Sequence, residues 1–107
     1  MLTRSDVQMI DAVQKAHLRT RMLMLLQDSY PRAMETRGIQ RVLEKTHCEV
    51  CLNEIQFEAE YLAEKNLLVS RMSKDGKYRY IRINARGIDF LEGSIEEVGL
   101  ASPAQYS

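Results

Sequence analysis

Apolar positions along the chain change period several times, and each change marks an element. Val7, Leu18, Met22, Leu25 and Leu26 fall on one face at helical spacing, and Ile10, Val13, His17 and Met24 form a second stripe beside it. A helix that is apolar over more than one face is buried on more than one side. In a chain of 107 residues that second side is available to a partner subunit. Ser5-Asp6-Val7-Gln8 has the form of a capping box and starts this helix. Ser29-Tyr30-Pro31 stops it near Asp28, because the residue before a proline resists helical geometry.

Ala33-Met34 has room only for a short extended piece. Thr36 is placed to cap a second helix over about residues 37–46, with Ile39, Val42 and Leu43 inward and Arg37, Arg41 and Lys45 outward. Gly38 weakens its first turn slightly. A turn over His47-Cys48-Glu49-Val50 leads to a third helix from about Leu52 to Asn66, with Asn66 as a left-handed C-cap. Leu67 to Met72 reads as a strand, Lys74-Asp75-Gly76 as a hairpin turn, and Lys77 to Asn84 as the returning strand. Asn84 then caps a short fourth helix carrying Ile88, Phe90 and Leu91, closed by Gly93. Beyond Gly93 the residues are small and polar, and residues 94–107 are expected to be a loosely ordered tail.

The length suits one domain with one core, here residues 1–93. Apolar residues make up 45% and charged residues 28%, an ordinary balance for a soluble globular protein. No apolar run is long enough for a membrane helix, and Asp6 and Asp11 interrupt any signal-like opening, so the reading is cytoplasmic with no membrane partner. Fifteen basic and fifteen acidic residues give a net charge of zero, which removes any global pull toward nucleic acid. The charge is nevertheless segregated. Residues 1–46 hold eight Lys/Arg against five Asp/Glu, and residues 47–68 one against five. Residues 69–86 hold six against one, and residues 87–107 none against four.

Three helices followed by a two-stranded hairpin, with the last two helices joined by a short turn, is the order of a winged helix-turn-helix. Ile55, Ala59, Leu62 and Leu67 occupy the apolar positions of the V-x-x-x-L-x-x-L-x-x-x-G-L pattern that closes such recognition helices. Asn66 stands where the family usually has Gly. The hairpin SRMSKDGKYRYIRIN resembles a wing, and ARGIDFLEG resembles the T-x-x-G-x-x-x-L helix common after it. The chain thus resembles the winged helix-turn-helix superfamily over about residues 18–93. In size and long leading helix it also resembles small winged-helix proteins of Mu-like phages and prophages. The resemblance implies a mainly α fold with a small β-hairpin: a three-helix core plus wing, a long N-terminal helix and a short C-terminal helix. It also implies a DNA-binding transcriptional regulator whose third helix enters the major groove while the wing touches the backbone or adjacent minor groove. Many members are homodimers that pair through extra helices, which suits Ile10, Val13 and His17 as interface residues.

The surface chemistry points two ways. The outward face of the third helix is expected to present Asn53, Glu54, Phe57, Glu58, Glu60, Tyr61 and Glu64. Asn53 and Gln56 suit base edges, since amide side chains match adenine in the major groove. Four glutamates along the same helix oppose a polyanion, although they are equally read as a solvated helix face. Phe57 and Tyr61 either pack under the wing or first helix, or form an aromatic patch rimmed by acid that suits a protein partner better than a groove. Arg71, Lys74, Lys77, Arg79 and Arg82 cluster in or beside the wing, and Arg37 and Arg41 line the second helix. These cations suit phosphates, or they keep an edge strand from pairing with other chains. Two functional readings follow: a dimeric binder of duplex DNA, and a protein-interaction module using Phe57 and Tyr61.

Catalytic and metal chemistry find little support. Cys48-x-x-Cys51 invites zinc or redox chemistry, but a tetrahedral zinc site needs four ligands, which only His17 and His47 would complete. Two reduced thiols at a helix junction is the simpler reading. No Gly-rich phosphate loop, nucleophile elbow or converging carboxylate pair occurs, and Glu58 and Glu60, two apart, diverge around a helix. No enzyme activity, metal or cofactor is expected.

Overall fold

Leu18, Met22 and Leu26, spaced four apart, are buried with Leu23, and they seat the longest helix on everything that follows. The computed structural model describes residues 3–46 and 49–106, with the side chains of residues 4–10 outside the description. The elements are α1 (Arg4–Ser29), β1 (Met34–Glu35), α2 (Thr36–Lys45), α3 (Leu52–Glu64), β2 (Leu68–Met72), β3 (Arg79–Ile83) and α4 (Ala85–Leu91), followed by a 3-10 turn (Pro103–Tyr106). The fold is mainly helical with a small antiparallel sheet of order β1-β3-β2. α1 already includes Arg4 and Ser5, so it starts slightly ahead of the Ser5 cap, within the spread of helix ends.

Two details at the second helix differ from the sequence reading. The extended piece before it is a strand: Met34 pairs with Ile81 and Glu35 with Tyr80 in β3. The hairpin therefore gains a third strand. Because Glu35 is used in that pairing and serves as N-cap, Thr36 is the first helical residue instead of the cap. It is fully buried, and its hydroxyl has no hydrogen-bond partner among the described residues. Ile39 and Leu43 turn inward, while Arg37, Arg41 and Lys45 face solvent.

α3 ends at Glu64, and Asn66 takes the left-handed conformation at φ 61°. Leu67 N–H donates to Leu62 O (3.0 Å) and Asn66 N–H to Ala63 O (2.9 Å), closing the helix with a left-handed cap that asparagine tolerates. The β2–β3 register pairs Leu68 with Ile83 and Met72 with Arg79. The turn is longer than a two-residue hairpin. Ser73 N–H donates to Tyr78 O (2.8 Å) around Lys74–Asp75–Gly76–Lys77, and Gly76 has φ 72°. Hydrogen bonds from the Ser73 hydroxyl and the Lys77 N–H hold the Asp75 carboxyl below the usual carboxylate range. The longer turn is why β3 starts at Arg79 and not at Lys77. Asn84 caps α4 as its sequence predicts, accepting from Gly87 N–H (2.9 Å), while its amide donates to Asn66 O (2.9 Å). That pair of bonds locks the start of α4 to the end of α3.

The segment after Gly93, expected to be loosely held, lies along α1 and α3. Thr20, fully buried in α1, donates to Ala101 O (2.6 Å), and Ala101 N–H donates to Ala16 O (3.1 Å). Lys65 reaches Val98 O (2.7 Å), and Glu97 takes Lys65 and Arg86 as ionic partners. Composition misses this because backbone carbonyls and a few side chains fasten the segment, and no apolar periodicity marks it.

Candidate nucleic-acid interface

Ile55, Ala59 and Leu62 are fully buried on one side of α3, which fixes the direction of every other side chain on it. Asn53, Glu54, Phe57, Glu60 and Glu64 face solvent, and Gln56 is half-buried at the edge of that face. Phe57 is 74% exposed, a large aromatic side chain with almost no cover.

Two members of the expected outward face are elsewhere. Glu58 is buried and paired with the Arg19 guanidinium of α1, itself only 14% exposed. The signal for this was present: Glu58 is three after Ile55 and four before Leu62, squarely on the inner stripe. Its charge argued against burial, and Arg19, 39 residues away, supplies the neutralising partner. Tyr61 is half-buried, with the Arg19 guanidinium carbon 3.7 Å from its ring centroid. Its hydroxyl donates to Val98 O (3.4 Å), so the ring is covered in part by Arg19 of the first helix and by the C-terminal segment, not by the hairpin. Phe57 and Tyr61 therefore do not form one open aromatic patch.

The hairpin is similarly divided. Arg79 points to the inner face of the sheet, where its guanidinium donates to Glu60 Oε1 (2.8 Å) and Ser70 Oγ (2.9 Å). Its side chain is 15% exposed, which takes it off the expected set of free phosphate-contacting cations. In exchange it neutralises Glu60. Arg71 and Arg82 lie on the opposite, outer face of the sheet, in register with Tyr80 and Val69 respectively. Lys74 and Lys77 occupy the tip. All four are exposed, and among the described residues none has an ionic partner. On α2, Arg37 sits 3.9 Å from Glu35 and 5.0 Å over the ring of Tyr78, while Arg41 is exposed one turn further on.

Asn53, Gln56, Phe57, Glu60 and Arg79 line a single groove of about 480 Å³ between α3 and the hairpin. The α2 cations Arg37 and Arg41 are not part of it. A larger cleft of about 810 Å³ separates α1 from the start of α3, with His17, Arg21, Glu49, Glu54 and Phe57 on its walls. Its charges are mixed, and they converge on no single chemistry.

Of the residues assigned to an α1 interface, the side chains of two are described and their settings differ. Ile10 lies outside the described side chains, Val13 is 55% exposed, and His17 is half-buried with its Nδ1 hydrogen-bonded to the Tyr106 hydroxyl. His17 thus has an intrachain partner that the sequence did not reveal. Cys51 is an exposed thiol at the N-cap of α3, 3.3 Å from Glu54 Oε1. His47 and Cys48 lie outside the described residues, and so does the full C-x-x-C motif. Among the described residues no group of three or more His, Cys, Asp or Glu side chains is placed to hold a metal, and no helix is long and apolar enough to cross a membrane. Comparisons of the chain with protein-family models, with curated proteins and with solved structures each find no match.

Proposed function

We propose that the chain is a small winged helix-turn-helix protein that binds duplex DNA, with α2 and α3 as the helix-turn-helix and β2–β3 as the wing. The observation that carries this reading is internal neutralisation. Of the four glutamates on α3, Glu58 is paired with Arg19 and Glu60 with Arg79, and among the described residues Glu54 and Glu64 have no ionic partner. The main electrostatic objection to a groove-reading helix is thereby halved. The face that remains open presents Asn53 and Gln56 beside a hairpin whose Lys74 and Lys77 have no ionic partner among the described residues. Amide side chains suit adenine edges, and the tip lysines suit phosphates.

The test is binding of mixed-sequence duplex at low salt. Affinity in the range of about 1–100 µM, falling with salt, is the expected result. Replacing Lys74 and Lys77 together with alanine is expected to weaken binding alike for all sequences and to lower the salt slope by about two. No salt-dependent binding at tens of micromolar protein would end the proposal.

Dimerisation belongs to the same reading. α1 has 26 residues, about 39 Å at 1.5 Å per residue. Its residues 11–15 are all exposed, Val13 among them, so the described residues leave this part of the helix open. A second copy pairing along Ile10 and Val13 would supply it and set two α3 helices on successive turns of DNA. Sedimentation equilibrium is expected to show a dimer that Val13→Glu converts to monomer; a monomeric parent chain at about 100 µM would exclude it.

The exposure of Phe57 favours one second reading, a protein partner held at α3. An exposed aromatic anchor is what interface cores use. On this reading Phe57→Ala abolishes a protein complex while folding is intact, and an unchanged partner profile counts against it.

A further inference from the structure

We propose that the outer face of the sheet is a second, separate nucleic-acid surface, a stacking platform for an unpaired polynucleotide strand. The face is built by alternation along β3. Ile81 and Ile83 are fully buried, so Tyr80 and Arg82 are directed away from the core. β2 adds Arg71, directly opposite Tyr80, and Val69, directly opposite Arg82. Two residues before Tyr80, Tyr78 lies under the guanidinium of Arg37 at 5.0 Å. Both tyrosines are 37% exposed and Val69 46%.

The chemistry of the occupant follows from charge and from the rings. Arg71 and Arg82 are exposed, and among the described residues neither side chain has an ionic or hydrogen-bond partner. Glu35, opposite Tyr80 on β1, is the carboxylate that the strand pairing places on this face among the described residues, and Arg37 lies 3.9 Å from it. The net field is positive, and it is interleaved with aromatic faces. A positive surface that follows a backbone, with rings on which bases stack, is the recognition chemistry of single strands, and it is independent of sequence because every base has a π-face. A duplex hides its base faces and offers Tyr78 and Tyr80 nothing to stack on. This surface stands apart from the α3 groove, whose lining includes none of Arg71, Tyr80 or Arg82.

The test titrates the full chain against labelled oligo-dT and oligo-U strands and a duplex, each of about 20 nucleotides per strand, by fluorescence anisotropy at low and moderate salt. Both single strands are expected to bind, with one preferred strand telling DNA from RNA. Tyr80→Leu is expected to weaken single-strand binding by about fivefold or more, the loss of one stacked base, and Tyr80→Phe to retain it. Replacing Arg71 and Arg82 with alanine is expected to lower the single-strand salt slope by about 1.4, roughly 0.7 for each phosphate contact. Tyr80→Leu leaves duplex affinity unchanged, so failure of the duplex reading and failure of this one are seen in different titrations. Absence of single-strand binding at tens of micromolar protein overturns the proposal. So does equal binding by the parent and Tyr80→Leu chains.

Discussion

Replacing Arg19 with methionine is expected to cost the folded chain about 3–5 kcal/mol, the penalty for removing one partner of a buried ion pair. Arg19 serves three neighbours at once. Its Nε pairs with the buried Glu58 carboxylate, its Nη1 donates to Gly99 O (2.8 Å), and its plane covers the Tyr61 ring. Without it, a carboxylate that is 9% exposed is left without its charge partner beside the core residues Ile55 and Leu62. The second substitution separates charge from packing. Glu58→Leu in the Arg19→Met background is expected to recover most of the loss, because an apolar pair of similar volume replaces a buried ionic one at little or no net cost. Equilibrium urea unfolding of the parent, both single variants and the double variant measures this directly. A single-variant loss below about 1 kcal/mol would mean that water reaches the pair, as at an ordinary surface salt bridge.

The other large effect is at Gly87, where substitution of a helical glycine by alanine has the reverse of its usual sign. Helix propensity alone favours alanine over glycine by about 1 kcal/mol. At Gly87, however, an added Cβ would lie 2.3 Å from the Leu67 carbonyl oxygen and 2.6 Å from Ile83 Cγ1. The first is backbone and cannot swing aside. α4 has to move off the sheet, and it is held there by the two Asn84 hydrogen bonds. We expect Gly87→Ala to destabilise by about 1–3 kcal/mol or more, the usual range for overpacking. Gly38 is the internal control. It is also helical, in α2, and an added Cβ there meets nothing within 4 Å. Gly38→Ala is expected to be neutral or stabilising by up to about 1 kcal/mol. Equal effects at the two glycines would show that α4 is not seated as described.

Much of the frame was legible in the sequence because it rests on local rules. Ile55, Ala59 and Leu62 oriented α3 by spacing alone, and Asn66 and Asn84 announced a left-handed cap and an N-cap by side-chain chemistry. Gly87 was visible only as part of a resembling motif, since nothing local shows that a carbonyl from residue 67 approaches it. The errors share one cause. Glu58 was placed outside because its neutralising cation is 39 residues away, and Arg79 was counted as a free cation because Glu60 is 19 away. Thr36 lost its cap role to a strand pairing with residues near position 80. The C-terminal segment looked loose because its bonds to Ala16, Arg19 and Thr20 span more than 80 residues or nearly so. Periodicity reads which way a side chain points, but it does not reveal which distant charge is waiting there.

The proposal that α3 and the hairpin tip face duplex DNA together is tested most directly by amide chemical-shift mapping during titration with duplex at low salt. The expected perturbations centre on Asn53, Gln56 and Phe57 of α3 and on Lys74 to Lys77 at the tip, and they fade as salt is raised. Perturbations that spare both segments, or that are confined to α3 and indifferent to salt, would contradict it.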